Sequence, residues 1–331
     1  MIAKLVGAVS AVLVGATALS ACGVAAVGPD DTTTTQEDPV TATDAGARAG
    51  DAGVRAGDAQ AIVVSTGESM VCTAWKSVRD RHTQVATWSA GATQCGAGTL
   101  PEAPRQASIA WVNLYRAMSG LAPVAEAAAD RAGAQGCAVM LERNGRLSHT
   151  PPAGWACATD AARATAARSN LSGNPGFPMS PWNAVRGWID ESRDLSGTLG
   201  HRRWLLSPEL RTVSYGQTGS FACMSLGVGA RVANAPQWVS WPPAGWVPTA
   251  LMGTIWSFSK PGVGAGTTVQ VTRDGAAVPV MASAQRAGIG DDTVSWTMPA
   301  AVAGSVYRVR VAAPGARPIE YEVRPTGCGG R

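Results

Sequence analysis

The spacing of apolar side chains divides the chain into regions of different character. An apolar run from Leu5 to Ala18 is followed, over residues 23–60, by Thr, Asp, Ala and Gly with almost no large apolar residue. Such a stretch cannot bury enough surface to fold, and it predicts a tether. It contains Thr32-Thr33-Thr34-Thr35 and a near-repeat, Ala47 to Gly53 followed by Val54 to Gln60. Order is expected from near Ala61, and residues 61–104 read as a disulfide-pinned lead-in segment carrying Trp75 and Trp88. A helix is predicted from about Arg105 to Ser119, with Ile109, Val112, Tyr115 and Met118 on one face and Gly120 as its stop. Ala125 to Arg143 predicts a second helix, closed by Asn144-Gly145. Pro181 to Ser192 predicts a third, with Pro181 in its first turn and Val185, Trp188 and Ile189 on one side. Residues 221–232 and 237–241 predict strands leading to Pro242-Pro243.

From about Thr249 the period shortens to two. Tyr307, Val309 and Val311 alternate with Arg308 and Arg310, and Ile319, Tyr321 and Val323 alternate with Glu320, Glu322 and Arg324. If these strands pair, acids and arginines meet on the solvent face. Asp274-Gly275 between Val-rich runs is a hairpin signal. Residues 249–331 therefore predict a small, Ig-like β-sandwich.

The chain has 331 residues, 46% hydrophobic and 15% charged, which suits two domains with packed cores and excludes wholesale disorder. The net charge of +4 is uneven: residues 30–60 carry −5 and Lys4 carries +1, so residues 61–331 carry +8. That positive charge is scattered, with no basic block and no interleaved aromatic ladder, so nucleic acid is not an expected partner.

Lys4, the apolar run and the small residues after it read as an export signal over residues 1–21. Leu19-Ser20-Ala21-Cys22 has the form of a lipobox, which would make Cys22 an acylated first residue and the membrane a partner; a plain secretory signal is the alternative. Six cysteines remain: Cys72, Cys95, Cys137, Cys157, Cys223 and Cys328. An even count in an exported chain without a CxxC pair favours disulfides over metal thiolates. Six cysteines allow 15 connectivities. Loop closure favours near neighbours, giving Cys72–Cys95, Cys137–Cys157 and Cys223–Cys328 as the expectation.

The chain holds 3 histidines. His82 has no partner pattern and is expected to face solvent. His149 follows the second helix, His201 lies in Gly200-His-Arg-Arg-Trp204, and Glu191 ends the third helix. Two imidazoles and a carboxylate suffice for a divalent metal such as zinc or for acid–base work, although no pair stands at helical spacing. Three unrelated residues are the alternative.

The order of the pieces adds a resemblance. Asn113-Leu-Tyr-Arg116 with Gly120 to Val124, Gly145 to His149, Arg168-Ser-Asn-Leu171, Trp188-Ile-Asp-Glu191, and Gly200-His201 through Pro208 to Tyr215-Gly216 stand in sequence. This set resembles the CAP superfamily (cysteine-rich secretory, antigen 5 and pathogenesis-related proteins) over roughly residues 105–245. The resemblance implies an α+β fold, a three-layer α-β-α sandwich over 105–248, with two His and two acidic residues in a central cleft. His149, Glu191 and His201 fill three of those positions. The fourth, an acid before Asn in the family, is Ser169 here, which lowers the expected metal affinity.

The expected function is an envelope-anchored binding module for a lipid, a peptide or a cell-wall component, with a weak divalent-metal site in the cleft. One alternative is a hydrolase. It would use Ser169 as nucleophile with a histidine and Glu191, or a metal-activated water on His149 and His201. Ser169 lacks a Gly-x-Ser-x-Gly elbow. A structural envelope protein is the other alternative. Trp182, Trp188, Trp204, Trp238, Trp241 and Trp246 are expected mainly as core and lid residues, with a groove lining as the second reading.

Overall fold

The computed structural model describes residues 67–82, 88–192 and 197–329. The expected signal segment, the Cys22 lipobox and the tether lie outside the described residues. Among the described residues, no helix is long and apolar enough to cross a membrane.

The lead-in segment contains an unforeseen helix, α1 (Glu68–His82), which buries Val71, Cys72 and Trp75. It packs on α2 (Glu102–Met118). α2 begins before Arg105 because Pro104 falls in the first turn, where a missing N–H costs nothing. Its buried face carries Trp111, Val112, Leu114, Tyr115 and Met118, and Gly120 turns the chain at φ +69°. Of the helix expected from Ala125, the first turns are instead β1 (Ala125–Glu126) and a 3₁₀ turn (Ala128–Asp130). α3 (Arg131–Asn144) supplies the remainder. The Ala-rich sequence favours a helix throughout, but pairing to the sheet takes the first residues. Ala125 and Glu126 lie in parallel register with Thr212 and Val213.

α4 (Asp160–Ala167) is capped by the Thr159 hydroxyl, which accepts from the Ala162 N–H, and it leads into β2 (Ser169–Gly173). α5 (Pro181–Asp190) has Pro181 in its first turn, as expected, and the Ser180 hydroxyl as its cap. It stops one residue before Glu191. α6 (Gly200–Leu205), β3 (Leu210–Gln217) and β4 (Phe221–Val228) complete this half. The sheet runs β1-β3-β4-β2. Period-two alternation in β4 builds the layers. Ala222, Met224 and Leu226 join the core with α2 and α5, whereas Phe221 and Cys223 join the core with α3 and α4. The result is the expected three-layer α-β-α arrangement. Each large side chain so buried contributes about 1.5–3 kcal/mol of transfer free energy.

The second half forms two sheets. β5 (Val239–Trp241), β6 (Gly245–Pro248), β7 (Ile255–Ser259), β8 (Thr268–Arg273), β9 (Ala276–Val278), β10 (Ser283–Ala284), β11 (Thr293–Thr297), β12 (Tyr307–Ala312) and β13 (Ile319–Thr326) order as β10-β11-β7-β5 and β6-β13-β12-β8-β9. They enclose a core of Val247, Trp256, Phe258, Val294, Trp296, Val309 and Val323 among others. β5 and β6 already pair into these sheets although they precede Thr249. Asp274 (φ +51°) and Gly275 (φ +86°) make the hairpin turn between β8 and β9. β12 and β13 pair as expected, Arg308 opposite Glu322 and Arg310 opposite Glu320, with ion pairs of 2.9 and 3.0 Å.

The near-neighbour disulfide expectation is corrected. The bridges are Cys72–Cys328, Cys95–Cys157 and Cys137–Cys223, at sequence separations of 256, 62 and 86. Loop entropy ranks pairings only in the unfolded chain; in the fold, α3 and β4 share a core and place Cys137 against Cys223. The other two bridges tie α1 to the end of β13 and the Cys95 loop to the loop after His149.

Trp188 and Trp241 are fully buried, while Trp182, Trp204, Trp238 and Trp246 pack partly buried against the two cores. His82 is half-buried rather than solvent-facing. Its carbonyl accepts from Trp111 Nε1, and burial, with the nearby Arg81, pulls its imidazole below the ordinary value.

Candidate ligand cleft

The site is assembled by element ends. α3 ends at Gly145 with φ +62°, where only glycine is unstrained, and the turn beyond it carries His149. His149 Nδ1 lies 2.9 Å from the Ala166 carbonyl oxygen, in the last turn of α4. A carbonyl can only accept, so Nδ1 bears the proton and Nε2 the lone pair. Burial lowers the His149 pKa, and the charge of His201 lowers it further; the hydrogen bond to Ala166 opposes both. His149 is therefore neutral at pH 7.

Glu191 occupies the left-handed position that ends α5, φ +52°, and is 3% exposed. Its Oε1 accepts the Arg202 backbone N–H at 2.9 Å, and its Oε2 lies 3.3 Å from His201 Nδ1. The carboxylate thus satisfies an N–H of the first turn of α6, where negative charge is favoured. It also orients the His201 ring with Nδ1 as donor. Asn170 on β2 donates to the His201 carbonyl at 3.1 Å, tying the helix to the sheet.

Ser169 stands beside this assembly but faces elsewhere. Its hydroxyl donates to the Thr165 carbonyl at 2.6 Å and is 4% exposed. The structure therefore joins Glu191 to His201 directly, and brings His149 within electrostatic reach of His201. It leaves the Ser169 hydroxyl committed to backbone. Among the described residues, no three His, Cys, Asp or Glu side chains are grouped to hold a metal ion. Both Glu191 oxygens are engaged, by the Arg202 N–H and by His201 Nδ1, and no chemistry is routed through a metal here.

Two site residues went unnoticed in the sequence. Asn170 was read only as part of the Arg168-Ser-Asn-Leu171 element. Arg202 is 1% exposed and donates to the Ile189 and Asp190 carbonyls at 2.6 and 2.9 Å. Burial pulls its guanidinium down to about 10, against the opposing pull of Glu191 and Asp190. The available signal was the Arg-Arg pair set between Gly200-His201 and the apolar Trp204-Leu205-Leu206, where a solvated pair is out of place.

Residues 109–220 match the family model of CAP, the cysteine-rich secretory protein family. This span, which contains His149, Ser169, Glu191 and His201, is a CAP domain. No curated protein matches the chain. The three disulfides fit an exported protein.

Proposed function

We propose that the protein is an exported CAP-domain binding module, lipid-anchored to the cell envelope through Cys22. Its cleft around His149, Glu191 and His201 receives a lipid, a peptide or a cell-wall component. The observation that carries the binding reading over the hydrolase is the Ser169 hydroxyl. Its single proton goes to the Thr165 carbonyl, so it is not presented to a histidine as a nucleophile. His149 and Glu191 are preset by backbone partners and the His201 ring by Glu191, which suits a site that reads hydrogen-bonding groups without reacting.

The test uses the full chain in detergent micelles, with its histidines labelled with ¹⁵N. Phospholipid, a mixed peptide library and muropeptides are titrated separately. The expected result is a saturable shift of the His149 and His201 signals with one class while His82 stays still. Movement with none of the three would overturn the reading, as would covalent labelling of Ser169 by a fluorophosphonate.

A further inference from the structure

The strands after residue 238 could be an independent appendage, but the contacts of α6 say otherwise. α6 carries three consecutive long polar side chains, His201, Arg202 and Arg203, each turned about 100° from the last. His201 meets Glu191. Arg202 holds the Ile189 and Asp190 carbonyls immediately before Glu191, and its remaining arm donates to Ser257 Oγ on β7 at 3.1 Å. Arg203 holds the Thr198 carbonyl at the start of α6, and also the Arg286 and Asp291 carbonyls of the sandwich at 2.7 and 3.0 Å. Arg231 grips the Asp291 carboxylate through both oxygens, at 3.0 and 2.9 Å.

Two close approaches complete the contact. A Cβ on Gly253 would stand 1.8 Å from Asp190 Oδ1, so the loop lies directly against the end of α5 and a side chain there would displace the Asp190 carboxylate. A Cβ on Gly200 would stand 3.3 Å from Ile289 Cδ1. A small cavity at this junction is lined by Arg202, Arg203, Trp241, Ser257 and Asp291, and by neither His149 nor His201. Both elements that hold the Glu191–His201 pair are thus braced from the sandwich.

We propose that the sandwich is a positioning domain for the cleft, and that Arg202 and Arg203 are the positioning residues that transmit its placement to the Glu191–His201 pair. α5 ends in a left-handed residue and α6 is under two turns long, so neither has the length to hold its angle unaided. The arginines replace that missing rigidity with charge-assisted bonds to carbonyls, the strong class of hydrogen bond. The importance of this coupling for binding rests on the cleft being the ligand site. The coupling itself is measurable without ligand.

The experiment reads the His201 ring ¹⁵N shifts of the full chain at a pH where the imidazole is neutral. Glu191 fixes the Nδ1–H tautomer, so loosening of the pair appears as growth of the Nε2–H form. Ser257→Ala, Gly253→Ala and Arg202→Lys are expected to raise that minor form at least about two-fold, since each disturbs Arg202 or Asp190, the residues next to the pair. Arg310→Ala, on the exposed ladder, leaves it unchanged. Glu191→Gln is the reference that breaks the pair directly. If Glu191→Gln moves the tautomer and both Ser257→Ala and Gly253→Ala leave it at the wild-type ratio, the positioning role is overturned. If Glu191→Gln itself moves nothing, the Glu191–His201 pair is at fault instead. Ser257→Ala removes one hydroxyl and keeps the test decisive if Gly253→Ala fails to fold.

Discussion

The two halves of the molecule treat arginine in opposite ways. The CAP half buries Arg116, Arg202 and Arg203 while leaving others such as Arg168 and Arg186 at the surface. Arg116 is 0% exposed and donates to the Ala122, Leu205, Ser207 and Leu210 carbonyls at 2.8, 2.8, 2.9 and 3.4 Å, joining α2 to the turn between α6 and β3. Burial pulls that guanidinium down to about 10. The sandwich keeps arginine outside, in the Arg308, Arg310 and Arg324 ladder over Glu320 and Glu322, around an aromatic and aliphatic core. A short-helix architecture leaves many carbonyls at element ends, and buried guanidinium groups satisfy them. A sheet satisfies its own backbone and needs arginine only at the surface.

The sharpest way to break this contrast is Arg116→Met. Three buried carbonyls, of Leu205, Ser207 and Leu210, lose their donor, so a loss of about 3–5 kcal/mol is expected in urea unfolding. A loss below about 1 kcal/mol would show that water takes over the role and that burial of arginine is incidental.

Next in size is removal of the Cys137–Cys223 bridge by a double Ala substitution. Both cysteines are fully buried between α3 and β4. The chain-entropy model and the lost packing together give about 2–5 kcal/mol, read as a lower Tm of the CAP half.

The pH dependence is a smaller effect. His149 has a folded pKa below its ordinary 6.5, so the unfolded chain binds its proton first. Its contribution is complete above pH 6.5 and is lost as pH falls from there through the folded value. His149→Gln should flatten that limb of the stability profile, and an unchanged limb would remove His149 as its source. The smallest expected effect is in the sandwich. Arg310→Ala should cost under about 1 kcal/mol and less in high salt, because both partners are exposed.

The same contrast governs what could be read from sequence. The sandwich was legible because alternation at Tyr307–Val311 and Ile319–Val323 fixes both face and register, and Asp274-Gly275 fixes a turn. The amphipathic face of α2 was legible for a related reason. Ala125–Asp130 was misread because alanine carries no face information, and only the distant β3 edge decides it. The Glu191–His201 contact could be anticipated only through motif order, not spacing, since it joins the ends of two separate helices. Arg202, Arg116 and the disulfide partners escaped because a side chain bonded to carbonyls from elsewhere leaves no periodic trace.

The central claim is that the two imidazoles share one cleft. The most direct measurement is the NMR titration of His149 in the wild-type chain and in His201→Gln. Because the charge of His201 holds His149 down, the account predicts that the His149 midpoint rises when that charge is removed, and that added salt shrinks the difference. A His149 midpoint indifferent to His201→Gln would contradict a shared cleft.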